Sequence, residues 1–60
     1  MSEMERIMNT VNFFYAHQGY VDVELCSKMA NVPNEILENC LRNTGHKESG
    51  IKGQWIRIRP

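Results

Sequence analysis

Val23-Glu24-Leu25-Cys26-Ser27-Lys28-Met29-Ala30-Asn31-Val32-Pro33-Asn34-Glu35-Ile36-Leu37-Glu38-Asn39-Cys40-Leu41-Arg42 is the stretch on which the fold of this chain turns. Its local signals predict two short helices joined by a tight turn. Asp22 is a good N-cap for a helix over about 23–30. Asn31 tolerates the left-handed backbone that a tight helix–helix turn requires. Pro33 suits the first turn of the next helix, where its missing N–H costs nothing. That helix is expected over about 33–43, with Gly45 behind it. Two helices meeting steeply through so short a turn make four demands. A small residue sits where they touch, and Ser27 is available. Apolar residues fill the angle: Cys26, Ala30, Leu37, and Cys40 or Leu41. Asn31 supplies the positive φ, and Val32 plugs the gap after the turn. Alanine and glycine would meet the first and third demands better than Ser27 and Asn31 do.

The flanks read as support for this pair. Ser2-Glu3-Met4-Glu5 fits a capping box, with Ser2 as N-cap and Glu5 three residues on. Met4, Ile7, Met8, Val11, Phe14 and Tyr15 then recur at steps of three and four, the spacing of an amphipathic helix over about 3–17. Phe13 falls off that stripe and widens the expected buried face. Gly19 is a natural stop, and Tyr20-Val21 reads as a short extended piece, a candidate third strand. Beyond Gly45, the run from His46 to Arg59 reads as a hairpin. Gly50 and Gly53 bracket its turn, and Trp55 to Arg59 favours a strand. Ile56 and Ile58 share one strand face, and Trp55, Arg57 and Arg59 share the other.

Sixty residues make one small domain over 1–60, marginal in stability and too small to wall off a substrate pocket. An enzyme is therefore the least expected class, and no small-molecule substrate or cofactor is implied. The apolar fraction of 42% is ordinary for a globular chain. Apolar runs reach only three or four residues, so no membrane span is expected. The polar, acidic start carries no signal-peptide core, which points to the cytoplasm. Without a secretory context, Cys26 and Cys40 are not expected to pair.

Charge is balanced overall but unevenly placed. Residues 1–41 hold Glu3, Glu5, Asp22, Glu24, Glu35 and Glu38 against Arg6 and Lys28, a balance of −4. Residues 42–60 hold Arg42, Lys47, Lys52, Arg57 and Arg59 against Glu48, a balance of +4. A basic tail on an acidic body is an electrostatic footprint for a polyanion or for an acidic face of a second copy.

Other chemistries find little footing. Cys26, Cys40, His17 and His46 have metal-ligand atoms, but structural zinc spacings are absent and both cysteines fall on the inner helix faces. No nucleophile–base–orienter set can be assembled; His17, near a helix end, is better placed to cap carbonyls. Gly50-x-x-Gly53 is too short for a phosphate loop. Trp55 has two readings: a cover for the core, or an exposed interface residue beside Arg57 and Arg59.

Taken together, Cys26-Ser27-Lys28-Met29-Ala30-Asn31-Val32-Pro33 looks like the second helix and turn of the winged helix-turn-helix superfamily. Gln54-Trp55-Ile56-Arg57-Ile58 looks like its final wing strand. The layout also bears a weak resemblance to the small fimbrial phase-variation regulators, short winged helices that act on DNA with a partner regulator. The expected class is accordingly α+β, a winged helix-turn-helix with three helices and a C-terminal β-hairpin wing over about 46–59. The resemblance implies that the third helix enters the major groove and that Lys47, Lys52, Arg57 and Arg59 of the wing touch the minor groove or backbone. On that helix Asn34 and Asn39 have the chemistry to pair with adenine, Arg42 with guanine or phosphate, and Glu35 or Glu38 with cytosine N4. Members of these families are generally more basic on this helix than the present chain.

The leading expectation is a small DNA-binding transcriptional regulator, phage- or plasmid-like in scale, acting on double-stranded DNA as a homodimer or with a second regulatory protein. The alternative is a protein-interaction module, an inhibitor or adaptor using the acidic third helix. Binding of single-stranded nucleic acid on the Trp55 face is a third reading.

Overall fold

The computed structural model describes residues 2–58. It is a small α+β domain: three helices and a three-stranded antiparallel sheet, in the order α1 (Glu3–His17), β1 (Val21–Asp22), α2 (Val23–Ala30), α3 (Asn34–Asn43), β2 (His46–Glu48) and β3 (Gln54–Arg57).

The local signals explain where the helices begin and end. Ser2 is extended (φ −73°, ψ 158°) and its hydroxyl accepts the Glu5 N–H at 3.2 Å, satisfying a donor the helix leaves free. The helix stops at His17, and Gly19 follows with φ of +80°. Asp22 caps α2 by accepting the Leu25 N–H at 3.2 Å. Asn31 ends it in the left-handed conformation (φ 57°, ψ 49°), so that Val32 N–H turns back to Ser27 O at 3.0 Å. Pro33 differs from expectation. It lies outside the helix as an extended N-cap (ψ 149°), and its carbonyl accepts the first α3 bond from Leu37 N–H at 3.1 Å.

One core joins α1, β1, α2, α3 and β3. Ile7, Val11 and Phe14 from α1 meet Val21, Val23, Cys26, Ala30 and Val32, then Leu37, Cys40 and Leu41 from α3, with Trp55 from the sheet. All the residues expected to fill the helix angle are buried, Cys40 and Leu41 alike, and Ser27 is buried at the contact. Its hydroxyl bridges the Glu24 carbonyl, 2.8 Å away, and the Asn34 side-chain amide. Both cysteines are buried and free. Burial, then the negative fields of Asp22 and Cys40, push the Cys26 thiol up to about 11, which keeps it a protonated, packing side chain.

Two expectations for α1 need correction. Met4 and Phe13 are about half exposed, so the buried face is narrower than the apolar pattern implied. A domain with so little interior covers only one stripe of a helix. Phe13 instead stacks on the His17 ring at 4.1 Å, while His17 Nδ1 meets Phe13 O at 3.0 Å near the helix end.

The sheet order is β1-β3-β2, so the last strand is central. The third strand expected at Tyr20-Val21 forms one residue later, at Val21–Asp22. Val21 pairs with Trp55, Glu48 with Trp55, His46 with Arg57, and Lys47 with Ile56. Residues opposite one another point to the same side. Val21, His46, Glu48, Trp55 and Arg57 therefore share the face toward the helices, and Lys47 and Ile56 share the outer one. The strands are shorter than the expected span of about 46–59, and Arg59 lies outside the described residues. Among the described residues, no helix is long and apolar enough to cross a membrane.

Candidate nucleic-acid interface

With Leu37, Cys40 and Leu41 buried, the helical period leaves Asn34, Glu35, Asn39 and Arg42 exposed on the outward side of α3, with Glu38 half-buried among them. The helix packs against β2, which sets this strip beside the hairpin. The third helix and the hairpin are thus neighbours, joined on this side by Arg42 over the Trp55 ring; Lys47 faces the outer side of the sheet, Lys52 stands at the hairpin tip, and Arg59 falls outside the described residues.

Several of these side chains are already engaged. The Asn34 amide is tied back to Ser27, and Asn39 Oδ1 accepts from Arg42 Nη1 at 3.1 Å. The Arg42 guanidinium lies 5.3 Å from the Trp55 ring centroid, and that of Arg57 lies 5.1 Å from the Tyr15 ring centroid. Both are cation–π distances. Two of the five cations are therefore held against rings at the rim of the sheet, with little rotamer freedom left to lose on meeting an anion. Lys47 and Lys52 are exposed; Lys52 stands at the hairpin tip between Gly50 (φ +103°) and Gly53 (φ +84°), positive-φ positions that a side chain would strain.

Trp55 itself is 2% exposed, so its reading as an interface residue is overturned. The register decides this, because the strand face carrying Trp55 is the one turned onto the helices. The adjoining proposal of a stacking platform for single strands loses its ring as well.

Sequence reasoning missed what holds this rim in place. Tyr15 and His46 stack at 5.6 Å beneath Arg57, and His46 is 4% exposed. His46 Nδ1 faces Thr44 Oγ1 at 3.2 Å, and Thr44 Oγ1 donates back to Cys40 O at 2.8 Å. Tyr15 Oη, His46 Nε2 and Trp55 Nε1 are buried and make no hydrogen bond within the described protein. Burial first, and then the positive charge of Arg57, hold the His46 imidazole below its ordinary value, partly offset by the Leu41 and Thr44 backbone. Burial raises the Tyr15 phenol, with Arg57 opposing. The one sequence signal was a histidine directly after Gly45 at a strand start. Nothing local revealed its cross-strand neighbour.

A pH dependence follows. The unfolded chain binds a proton at His46 more readily than the folded one, so stability rises with pH. As pH falls through about 6.5, the free-imidazole value, stability should decline until the folded-state pKa is passed. Thermal melts at stepped pH between neutral and mildly acidic buffer should show a falling midpoint in the wild type and a flatter profile in His46→Phe. An identical slope in the two would remove His46 as the cause.

Compared with known proteins, the chain matches no protein family, no curated protein and no solved structure. Its function therefore has to be read from its own geometry.

Proposed function

We propose that this chain is a small regulator of winged helix-turn-helix type that binds double-stranded DNA. The observation that carries the reading is the connectivity. The strand before the tight helix pair, β1, joins the last strand, β3, at the sheet centre, and α3 packs against β2; in this reading the hairpin serves as a basic wing beside α3. In this reading α3 lies against the major groove, with Asn34, Asn39 and Arg42 nearest the base edges. Lys47, Lys52, Arg57 and Arg59 neutralise phosphates. Because Asn34 and Asn39 already have partners in the free protein, base reading requires them to exchange those bonds. Phosphate contact requires no such exchange at the lysines. The wing thus contributes most of the affinity, and sequence preference is modest.

One copy makes few contacts. Productive binding therefore calls for two copies on one duplex or for a second regulatory protein, and the setting is the cytoplasm. The second reading, a protein-interaction module, is favoured by Glu35 and Glu38, two acids on the strip that would meet phosphates.

Titration of a labelled random-sequence duplex at low and at physiological salt separates the two. DNA binding should weaken steeply with salt. Lys47→Ala with Lys52→Ala should lower the logarithmic salt slope by about 2, at close to one unit per lost phosphate contact. No binding at low salt would favour the protein-interaction module.

A further inference from the structure

The edge strand β2 is fastened to the rest of the molecule in an unusual way. The apolar core takes no residue from it, and His46 is its one buried residue. Every element packed on β2 meets that side chain. From α1, the Tyr15 ring stacks on it at 5.6 Å. From the end of α3, Thr44 Oγ1 lies 3.2 Å from its Nδ1. From β3, Arg57 stands directly opposite it in the register. Ile58 N–H donates to Gly45 O at 2.7 Å, so the adjoining His46–Arg57 site is of the non-hydrogen-bonded kind, where opposed side chains come closest. On its own strand, Lys47 points to the outer side, and Glu48 shares the inner face two residues on but is exposed. Among the described residues the ion pair is Lys28 with Glu24, within α2, so no carboxylate there pairs with His46 or Arg57. His46 Nε2 is buried without a hydrogen-bond partner in the described protein. A neutral imidazole fits this setting. An imidazolium does not, because it sets like charges opposite one another and leaves a charged N–H dry.

We propose that His46 is an acid-released latch for the edge strand: neutral, it holds β2 against α1, α3 and Arg57; protonated, it lets β2 and the turn behind it swing out while the helices and the β1–β3 pairing stay in place. The asymmetry follows from the sheet order. β3 is central, so losing β2 leaves it paired with β1 through Val21 and Trp55, both of them core residues. Losing β2 removes no apolar core residue, so opening at this edge costs less than unfolding the domain. Burial and the Arg57 charge already hold the closed imidazole below its ordinary value. The open strand therefore takes up a proton more readily than the closed one. Opening should grow about tenfold per pH unit as pH falls below about 6.5, the free-imidazole value, and level off once the closed-state value is passed. The acid loss of stability expected above is then reached through this strand first. The latch works whether or not the chain binds DNA, because every group in it is the protein's own.

Amide hydrogen exchange of the full chain, followed by NMR from neutral to mildly acidic buffer, tests the latch. The Ile58 amide reports the β2 side of the sheet, and the Val23 amide, which donates to Gly53 O at 2.9 Å, reports the β1 side. In the wild type, protection at Ile58 should fall by about tenfold per pH unit relative to Val23 over that window. His46→Phe keeps a ring against Tyr15 and removes the proton site, so the ratio should no longer depend on pH. Arg57→Gln removes the opposed cation. It should raise the His46 titration midpoint, read from the ring proton shift, and make the acid loss of Ile58 protection several-fold smaller. Lys47→Gln, on the outer face of the same strand, should move that midpoint far less. A wild-type ratio that ignores pH, Ile58 and Val23 losing protection together, or an Arg57→Gln midpoint equal to that of the wild type would each overturn the proposal. If His46→Phe does not fold, the Arg57→Gln comparison decides alone.

Discussion

Trp55→Ala should abolish cooperative folding at room temperature. Trp55 is 2% exposed and, with Val21, is the sheet's contribution to the common core. It is paired on both sides, with Val21 of β1 and Glu48 of β2, and Arg42 lies over its ring. Truncating a buried tryptophan costs about 3–5 kcal/mol. A core of this size rarely supplies more than about 3–5 kcal/mol in all. The loss therefore matches the whole stability of the domain. Trp55→Phe is the informative partner. It keeps an aromatic ring over the core and removes an indole N–H that has no hydrogen-bond partner within the described protein. Its cost should be well below that of the alanine variant, since a buried donor left unpaired is itself unfavourable. Urea unfolding followed by far-ultraviolet circular dichroism measures both. An alanine variant with a near-native midpoint would mean that the sheet does not depend on this ring for its attachment.

Leu37→Ala should have nearly as large an effect by a different route. Leu37 has no exposed surface and sits one turn into α3, where it fills the angle between the two helices of the tight turn. Its loss leaves a cavity that helices on a short, left-handed turn can close only partly, at a cost of about 2–5 kcal/mol. Leu37→Met keeps the volume and should cost less than about 1.5 kcal/mol. An amide correlation spectrum distinguishes the outcomes: collapsed dispersion for alanine, near-native dispersion for methionine. If the alanine variant keeps a dispersed spectrum and a native-like melt, α2 and α3 are not held together through this side chain.

Much of the proposed DNA-contact surface was legible in the residues alone. The outward strip of α3 follows from helical period once Leu37, Cys40 and Leu41 are assigned inward. The exposure of Lys52 follows from the glycine-bracketed turn. What was not legible is how many of these groups the protein uses for itself. Asn34 is tied to Ser27 across the turn, Asn39 to Arg42, and Arg57 rests on Tyr15, more than forty residues earlier in the chain. Side-chain capture of this kind depends on which elements lie side by side, and a single sequence does not print that.

The residues by themselves determined the three helices with their Ser2 and Asp22 caps, the left-handed Asn31 turn, the cysteines on inner faces and the alternation along β3. Each rests on interactions within a few positions, so the information lies in neighbouring letters. Tertiary structure alone decided which side of β3 faces inward, that Trp55 is core and not interface, that Phe13 and Met4 stay half exposed, and that His46 is buried beneath Arg57. The burial of Trp55 depends on β3 pairing with β1 across the whole length of α2 and α3, that of His46 on β2 pairing with β3, and the exposure of Met4 and Phe13 on how little of α1 so small a domain covers. A one-residue change in that register would send every side chain of the strand to the opposite face. Alternation along the strand is local, but the choice between its two faces is made by packing against the helices.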